Sequence, residues 1–420
     1  MATATRSVRA PGWKIIRDLV KRDLATAVGV VLLIIAIAVV LNTLPHPQSK
    51  PPAFGELMPV RAAIPVQSNG FALLLQAGKL LSISNNEPIL ANYTNWDETA
   101  ARDILARNET ALDALRRAWA CPLLQVEAVT NIEQEFPYLS DWRHLAQLAI
   151  VEAHLSFSSN QQQGFTQAVE VVRFGQRLQE ADGAHIHYLV GAAIKSLGLN
   201  CLRHFAGETR LSASNLVLVS EELTNFESSQ AALRQTLKVE YLTSAKLIET
   251  MATNPIACVA YIYSVDRTKR DLADQLLLIM RALTNCYATG VTVLPVAQTN
   301  PSYVKFLLHG NLMGTVINNM TLDSRTHMLA AKCRENVSVR ATRLVLALRA
   351  FQIENQRQAG LLEELVPNFV EAVPLDDFDG KPLRYSPSLN EVYSVGVGLI
   401  DSGGVESTNS RTGNILFPLR

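Results

Sequence analysis

The chain has no net charge: 38 Lys and Arg stand against 38 Asp and Glu in 420 residues. Without a surplus of cations there is no electrostatic footprint for a polyanion, so nucleic acid is set aside as a partner. Only 18% of the residues are charged and 48% are apolar, which excludes disorder along the whole chain. Catalytic signatures are also missing. H-E-x-x-H does not occur, and no two of the eight histidines have the i, i+4 spacing of a helical zinc site. His185 and His187 point to different faces of any helix and read as surface or capping residues beside Asp182-Gly183. There is no G-x-S-x-G elbow and no phosphate-cradling glycine loop. Ser302-Tyr-Val-Lys305 spells S-x-x-K, but its S-D-N and K-T-G companions are lacking. Glu133, Glu135, Glu152, Glu221, Glu222 and Glu240 could pair as acid and base only if folding assembled them. The five cysteines form no C-x-x-C, and four lie in apolar helical contexts, where cysteine behaves as a small hydrophobe. One disulfide stays open, with no assignable partners.

Long apolar runs are equally scarce, with one exception. Leu24 to Leu41 is uncharged, and its roughly 18 residues span about 27 Å as a helix, enough for a bilayer core. Arg6, Arg9, Lys14, Arg17, Lys21 and Arg22 precede it, which places the N-terminus in the cytoplasm and the rest outside. A cleaved signal peptide would have a shorter apolar core and an A-x-A site before Pro45. A second span over Leu272 to Leu294 is interrupted by Asp274 and Arg281. That segment reads as an amphipathic core helix with Leu272, Leu276, Ile279 and Leu283 in one stripe.

Beyond the Pro-rich stretch Pro45 to Pro65, apolar residues recur at i, i+3, i+4, i+7, the helical period. This spacing predicts helices over Trp96–Ala106, Glu109–Ala120, Leu139–Phe157, Phe165–Leu178, Ile186–Phe205, Ser212–Phe226, Ser228–Met251, Arg267–Cys286, Pro301–Asn311 and Glu335–Gln358. Asn108 is a candidate cap, and Cys121-Pro122 a stop. Breaks at Asn160-Gln161, Asp182-Gly183 and Gly207 are short, so successive helices should be antiparallel neighbours. No fixed repeat period occurs, which favours an irregular bundle over a solenoid. From Gly360 the chemistry changes. Leu383 to Tyr385 and Val392 to Val395 read as a hairpin, Ile415 to Leu419 as a possible third strand, and Asp379-Gly380 as a turn.

The run from Leu346 to the C-terminus resembles the major pseudopilin of type II secretion systems. Asp377-Phe-Asp-Gly380 and Leu383-Arg-Tyr385 match that family's hairpin. Tyr393-Ser-Val-Gly396 and Asp401-Ser-Gly403 match its "SxGxDG" loop. Gln356-Arg-Gln-Ala359 replaces its Gly-x-Tyr-Pro turn, and the glutamate of a pilin N-terminal helix is missing. The resemblance implies calcium in the loop, held here by Asp401, Ser402 and Glu406, although Asn414 stands where an aspartate is usual and a glycine-rich surface turn is the alternative. Calcium takes about six to eight oxygens. The rest of the chain, through Asn108-Glu-Thr-Ala-Leu112, Trp142-Arg-His-Leu-Ala146 and Asn300-Pro301, is similar to single-pass envelope proteins of planctomycete-type bacteria. Their order is anchor, helical ectodomain, pseudopilin-like tail; that likeness implies a location and no particular activity.

The expected fold is mainly α. It comprises a basic cytoplasmic arm (1–23), a transmembrane helix (24–44), a Pro-rich spacer (45–68), an irregular α-helical bundle in the periplasm (69–358) and a small α+β tail with an antiparallel hairpin (359–420). The tail should dock on the last long helix. Leu361, Leu365, Phe369, Val373, Leu383, Tyr385 and Tyr393 would cover its stripe of Ala341, Leu344, Val345, Leu348, Phe351 and Ile353. The expected role is a scaffold or interaction protein anchored in the inner membrane, with protein partners and no catalysis. A periplasmic hydrolase with a site inside the bundle, and an accessory component of a type II secretion-like system, are the alternatives.

Overall fold

The computed structural model describes residues 26–33, 35–36, 40, 54–83, 97–251, 263–296, 311–405 and 413–419. Eleven named α-helices follow Phe54 in the described residues: α1 (Phe71–Lys79), α2 (Glu98–Arg107), α3 (Glu109–Ala120), α4 (Tyr138–Ser159), α5 (Gln161–Gln179), α6 (His185–Glu208), α7 (Ala213–Glu222), α8 (Gln230–Met251), α9 (Val265–Ala282), α10 (Tyr287–Gly290) and α11 (Leu312–Asn355). Three strands close the chain: β1 (Arg384–Ser386), β2 (Glu391–Ser394) and β3 (Ile415–Pro418). The protein is therefore mainly helical with one small antiparallel sheet. Two units divide it. The described part of the first comprises residues 26–33, 35–36 and 40, the end of α8 and the starts of α9 and α11. The second holds the remaining helices and the sheet.

Cap chemistry sets several boundaries. Asn160 caps α5 by accepting from the Gln163 amide at 3.2 Å, and Ser212 caps α7 by accepting from Asn215 at 3.3 Å. Cys121 is extended before Pro122 and ends α3. Asn108 does not cap the start of α3 with its side chain, but it caps the end of α2. It donates to the Ile104 and Ser82 carbonyls and accepts from the Ser82 amide, tying residue 82 to the end of α2. Gly207 does not break α6, which runs one residue further. Trp96, residues 301–310, which hold most of the predicted Pro301–Asn311 helix and the S-x-x-K stretch, and Cys258 lie outside the described residues. The other four cysteines are free thiols.

α5 and α6 pack unusually closely, for a reason written in glycine. A Cβ at Gly175 would lie 2.5 Å from the Gly191 carbonyl oxygen and from the Lys195 nitrogen, and one at Gly198 would lie 2.8 Å from the Ala168 carbonyl oxygen. Residue 175 thus faces 191 and 168 faces 198, so the two helices are antiparallel. Leu272, Leu276, Ile279 and Leu283 are all fully buried while Asp274 and Arg281 are exposed, the amphipathic pattern expected of this stretch.

Residues 54–68 are no free spacer. Leu57 is buried, Arg61 donates to the carbonyls of Asp182 and Val126, and Gln235 donates to the Val60 carbonyl at 2.8 Å. Of the apolar run, residues 26–33, 35–36 and 40 are helical and exposed, and the rest lies outside the described residues. Among the described residues no helix is long and apolar enough to cross a membrane.

α11 begins at Leu312, well before the expected Glu335, because Asn318, Arg325 and Lys332 are buried on it and mask its apolar period. β1 and β2 pair with Tyr385 opposite Val392, and β3 adds to β2 with Phe417 opposite Val392, giving the order β1-β2-β3. Residues 376–381 form the expected turn, with Gly380 at φ +74. The tail rests on α11 through Phe369, whose ring meets Phe351 edge-on at 5.6 Å. Leu361, expected in that contact, is 65% exposed; it is the extended residue that precedes the 3-10 turn Leu362–Leu365. A polar fastening is stronger than expected. Asp377 meets Lys332 and Asn336 at 2.9 Å each and Arg340 at 3.8 Å, one stripe of α11 at i, i+4, i+8.

Candidate functional site

Within the second unit a cleft of about 390 Å³ opens between α6, α11 and β3. α6 contributes Ala192, Lys195, Ser196, Leu199, Asn200 and Arg203, which its period places on one face. α11 contributes Ala331, Arg334, Glu335 and Ser338 by the same period, and β3 contributes Ile415, Leu416 and Phe417.

Lys195 and Glu335 form a buried ion pair at its base. Every donor of the ammonium is used: on Glu335 Oε1, on Gln176 Oε1, and on the Phe226 carbonyl at 3.0 Å. Glu335 Oε2 accepts from Tyr188 Oη at 2.8 Å and from Gln179 Nε2 at 2.9 Å. Burial pulls the Lys195 ammonium down, with Glu335 opposing, and burial pushes the Tyr188 phenol well up, with Glu335 adding to it. Nearer the mouth, Arg203 donates to Thr342 Oγ1 at 2.5 Å, to Ser338 Oγ at 3.5 Å and to Asn200 Oδ1, and lies 5.1 Å over the Phe417 ring. Burial lowers the Arg203 guanidinium to about 10. Arg334 is exposed.

The residues expected to hold calcium are arranged otherwise. Asp401 Oδ1 accepts from the Gly403 amide at 3.0 Å and Oδ2 from Arg384 Nε at 3.1 Å. The Gly403 amide first, then Tyr393 and Arg384, hold the Asp401 carboxyl below its ordinary value. Arg384 also reaches Asp376 at 3.1 Å and Asp379 at 2.5 Å, so a guanidinium joins three carboxylates where a cation was expected beside Asp401. Asp376 is fully buried, and burial raises its carboxyl despite the amides of Phe378 and Val395. Ser402 presents its amide to Asn414 Oδ1 at 3.0 Å, while Asn414 Nδ2 donates to the Ile400 carbonyl at 2.7 Å. Glu406 lies outside the described residues. Among the described residues no group of three or more His, Cys, Asp or Glu could hold a metal ion.

The scattered glutamates are not brought together. Glu152 pairs with Arg116, Glu222 with Arg173 and Glu240 with Arg325. His187 does cap α6, its Nδ1 accepting from the Ala184 amide at 3.1 Å, but it is buried, with Nε2 2.8 Å from Tyr138 Oη. Burial lowers its pKa to about 4. The reading of the sequence missed the Lys195–Glu335–Tyr188 network. Its visible trace was a lone lysine among apolar residues and glycines in the middle of α6. No family, no curated protein and no solved structure matches this chain.

Proposed function

We propose that the protein is an anchored, non-enzymatic scaffold or interaction protein of a bacterial inner membrane, with its helical body and tail on the periplasmic side. The observation that carries this reading is the saturation of the network beneath the cleft. General acid–base chemistry needs a proton or lone pair facing the reactant. The Lys195 ammonium spends all three donors on protein oxygens, and its side chain is fully buried. What faces the opening is a surface that can hold a partner. The exposed apolar side chains Val28, Val30, Val31, Leu32, Leu33 and Ile35 on helical residues support the anchor, since a bilayer would cover them. The long α11 leading into a small antiparallel sheet agrees with the pseudopilin-like tail.

Two experiments test the two halves of the reading. Alkaline phosphatase fused after residue 60 is expected to be active; an inactive fusion, with a cytoplasmic reporter active at the same point, overturns the anchor. For the second half, a photo-crosslinking residue replaces Asn200 in the cleft of the full chain, and adducts are compared with and without Lys195→Gln plus Glu335→Gln. That pair removes both charges of the buried network. Unchanged adducts and unchanged cell growth are expected. A folded double variant that keeps its adducts but fails to complement a deletion would instead favour the hydrolase.

A further inference from the structure

Three of the cations lining the cleft differ in their partners. Lys195 is neutralised by Glu335. Arg203 is half-buried, and its hydrogen bonds go to the neutral oxygens of Thr342, Ser338 and Asn200. Arg334 has no hydrogen bond or ion pair with any described residue. Charged groups drawn out of water are normally paired, so Arg203 stands out. Its guanidinium is lowered by burial with no carboxylate acting against that shift.

The two arginines are also neighbours. Arg334, Ser338 and Thr342 follow one another at i, i+4, i+8 and share a face of α11. Arg203 is bonded to the second and third of these, which lie one and two turns from Arg334, about 6 and 12 Å along the axis. Arginine forks match the paired oxygens of phosphate and carboxylate. Beside them the cleft is apolar, walled by Leu199, Leu416 and Phe417. Its volume of about 390 Å³ lies in the range of small-molecule sites.

We propose that this cleft binds a small water-soluble molecule carrying an oxyanion on an apolar body, with Arg203 and Arg334 holding the oxyanion and Phe417 and Leu199 covering the body. The bound molecule would join α6, α11 and β3, and so brace the tail against the helices. The proposal rests on the reading above in one respect, that the cleft holds its ligand unchanged.

The test is calorimetric titration of the full chain in phosphatidylcholine nanodiscs with phenyl phosphate, inorganic phosphate and phenol. Phenyl phosphate is expected to bind saturably, inorganic phosphate about tenfold more weakly, and phenol not at all. Arg334→Glu is expected to weaken phenyl phosphate by about tenfold or more while leaving the thermal midpoint in place, because Arg334 is exposed and bonds to no described residue. No saturable binding of phenyl phosphate, equal binding of phenol, or an unchanged affinity in a folded Arg334→Glu protein overturns the site. Phenol released from bound phenyl phosphate would leave the site standing and overturn the non-enzymatic reading instead.

Discussion

Glu335 holds one of the few fully desolvated charges in the bundle, and its loss should be felt out of proportion to its size. In Glu335→Gln the Lys195 ammonium would stay buried without a counter-charge. Removing one partner of such a pair costs about 3–5 kcal/mol, readable as a shift in urea unfolding of the full chain. His187 works at the same scale through protons. Its pKa is lowered to about 4 in the fold, and that of His154 likewise, both by burial, against an ordinary value near 6.5. Between these values the unfolded chain binds protons that the folded chain refuses. Stability is therefore full above about pH 6.5 and falls as the pH drops toward about 4, by up to about 3 kcal/mol for each histidine. His187→Gln should remove its share of that pH dependence, beside those of His154 and of His185, whose pKa burial also lowers; an unaltered slope of stability against pH would show that His187 does not carry it. Asn414 illustrates how identity matters in small groups. An aspartate there could accept from Ser402 but could not donate to the Ile400 carbonyl, so the residue that weakened the calcium expectation is the one that pins the loop.

At the scale of elements, the α5–α6 contact reverses an ordinary rule. Alanine inside a helix is usually better than glycine by about 1 kcal/mol. At Gly191 a Cβ would lie 2.7 Å from the Gly175 carbonyl oxygen and 2.7 Å from Gln179 Cγ. Gly191→Ala should therefore destabilise, by about 1–3 kcal/mol for overpacking, and push Gln176 away from Lys195; a higher melting midpoint would contradict this contact. In the tail, Arg384 joins the 376–381 turn to the Asp401 loop. Arg384→Met should lower the melting midpoint while EGTA leaves the native protein's midpoint where it is; the reverse pattern would put a metal in the arginine's role. The helices were legible because their apolar period is strong: α3, α4, α5 and the stripe of α9 follow it closely. The start of α11 was not, because its buried Asn318, Arg325 and Lys332 break the period that a reader of sequence relies on.

For the molecule as a whole, the tail and most of the helical body belong to the same unit. Leu348 is buried on α11 within the face expected to meet the tail. Leu348→Asp would place a carboxylate there, and burying an unpaired charge is among the costliest single changes. The ellipticity of the helices and the near-ultraviolet signal of the tail tyrosines should then be lost together at a lower temperature. Helices that melt at the native temperature while the tail signal alone disappears would mean that the two are held separately.

Sequence alone determined what depends on neighbours along the chain. The helical period, the stop at Cys121, the break at Asn160 and the hairpin all follow from local spacing and local hydrogen bonds. The same locality marks the apolar run behind the proposed anchor. Tertiary structure decided which distant side chains meet. Lys195 and Glu335 are 140 positions apart, and nothing in either neighbourhood specifies the other. Arg203 met Thr342 and Phe417 only when α11 and β3 packed beside α6. Arg384 took up three carboxylates only when the hairpin brought Asp376 and Asp401 to the same side. Such pairings depend on three-dimensional distance and on the loss of water around a charge, quantities that a linear order of residues does not contain.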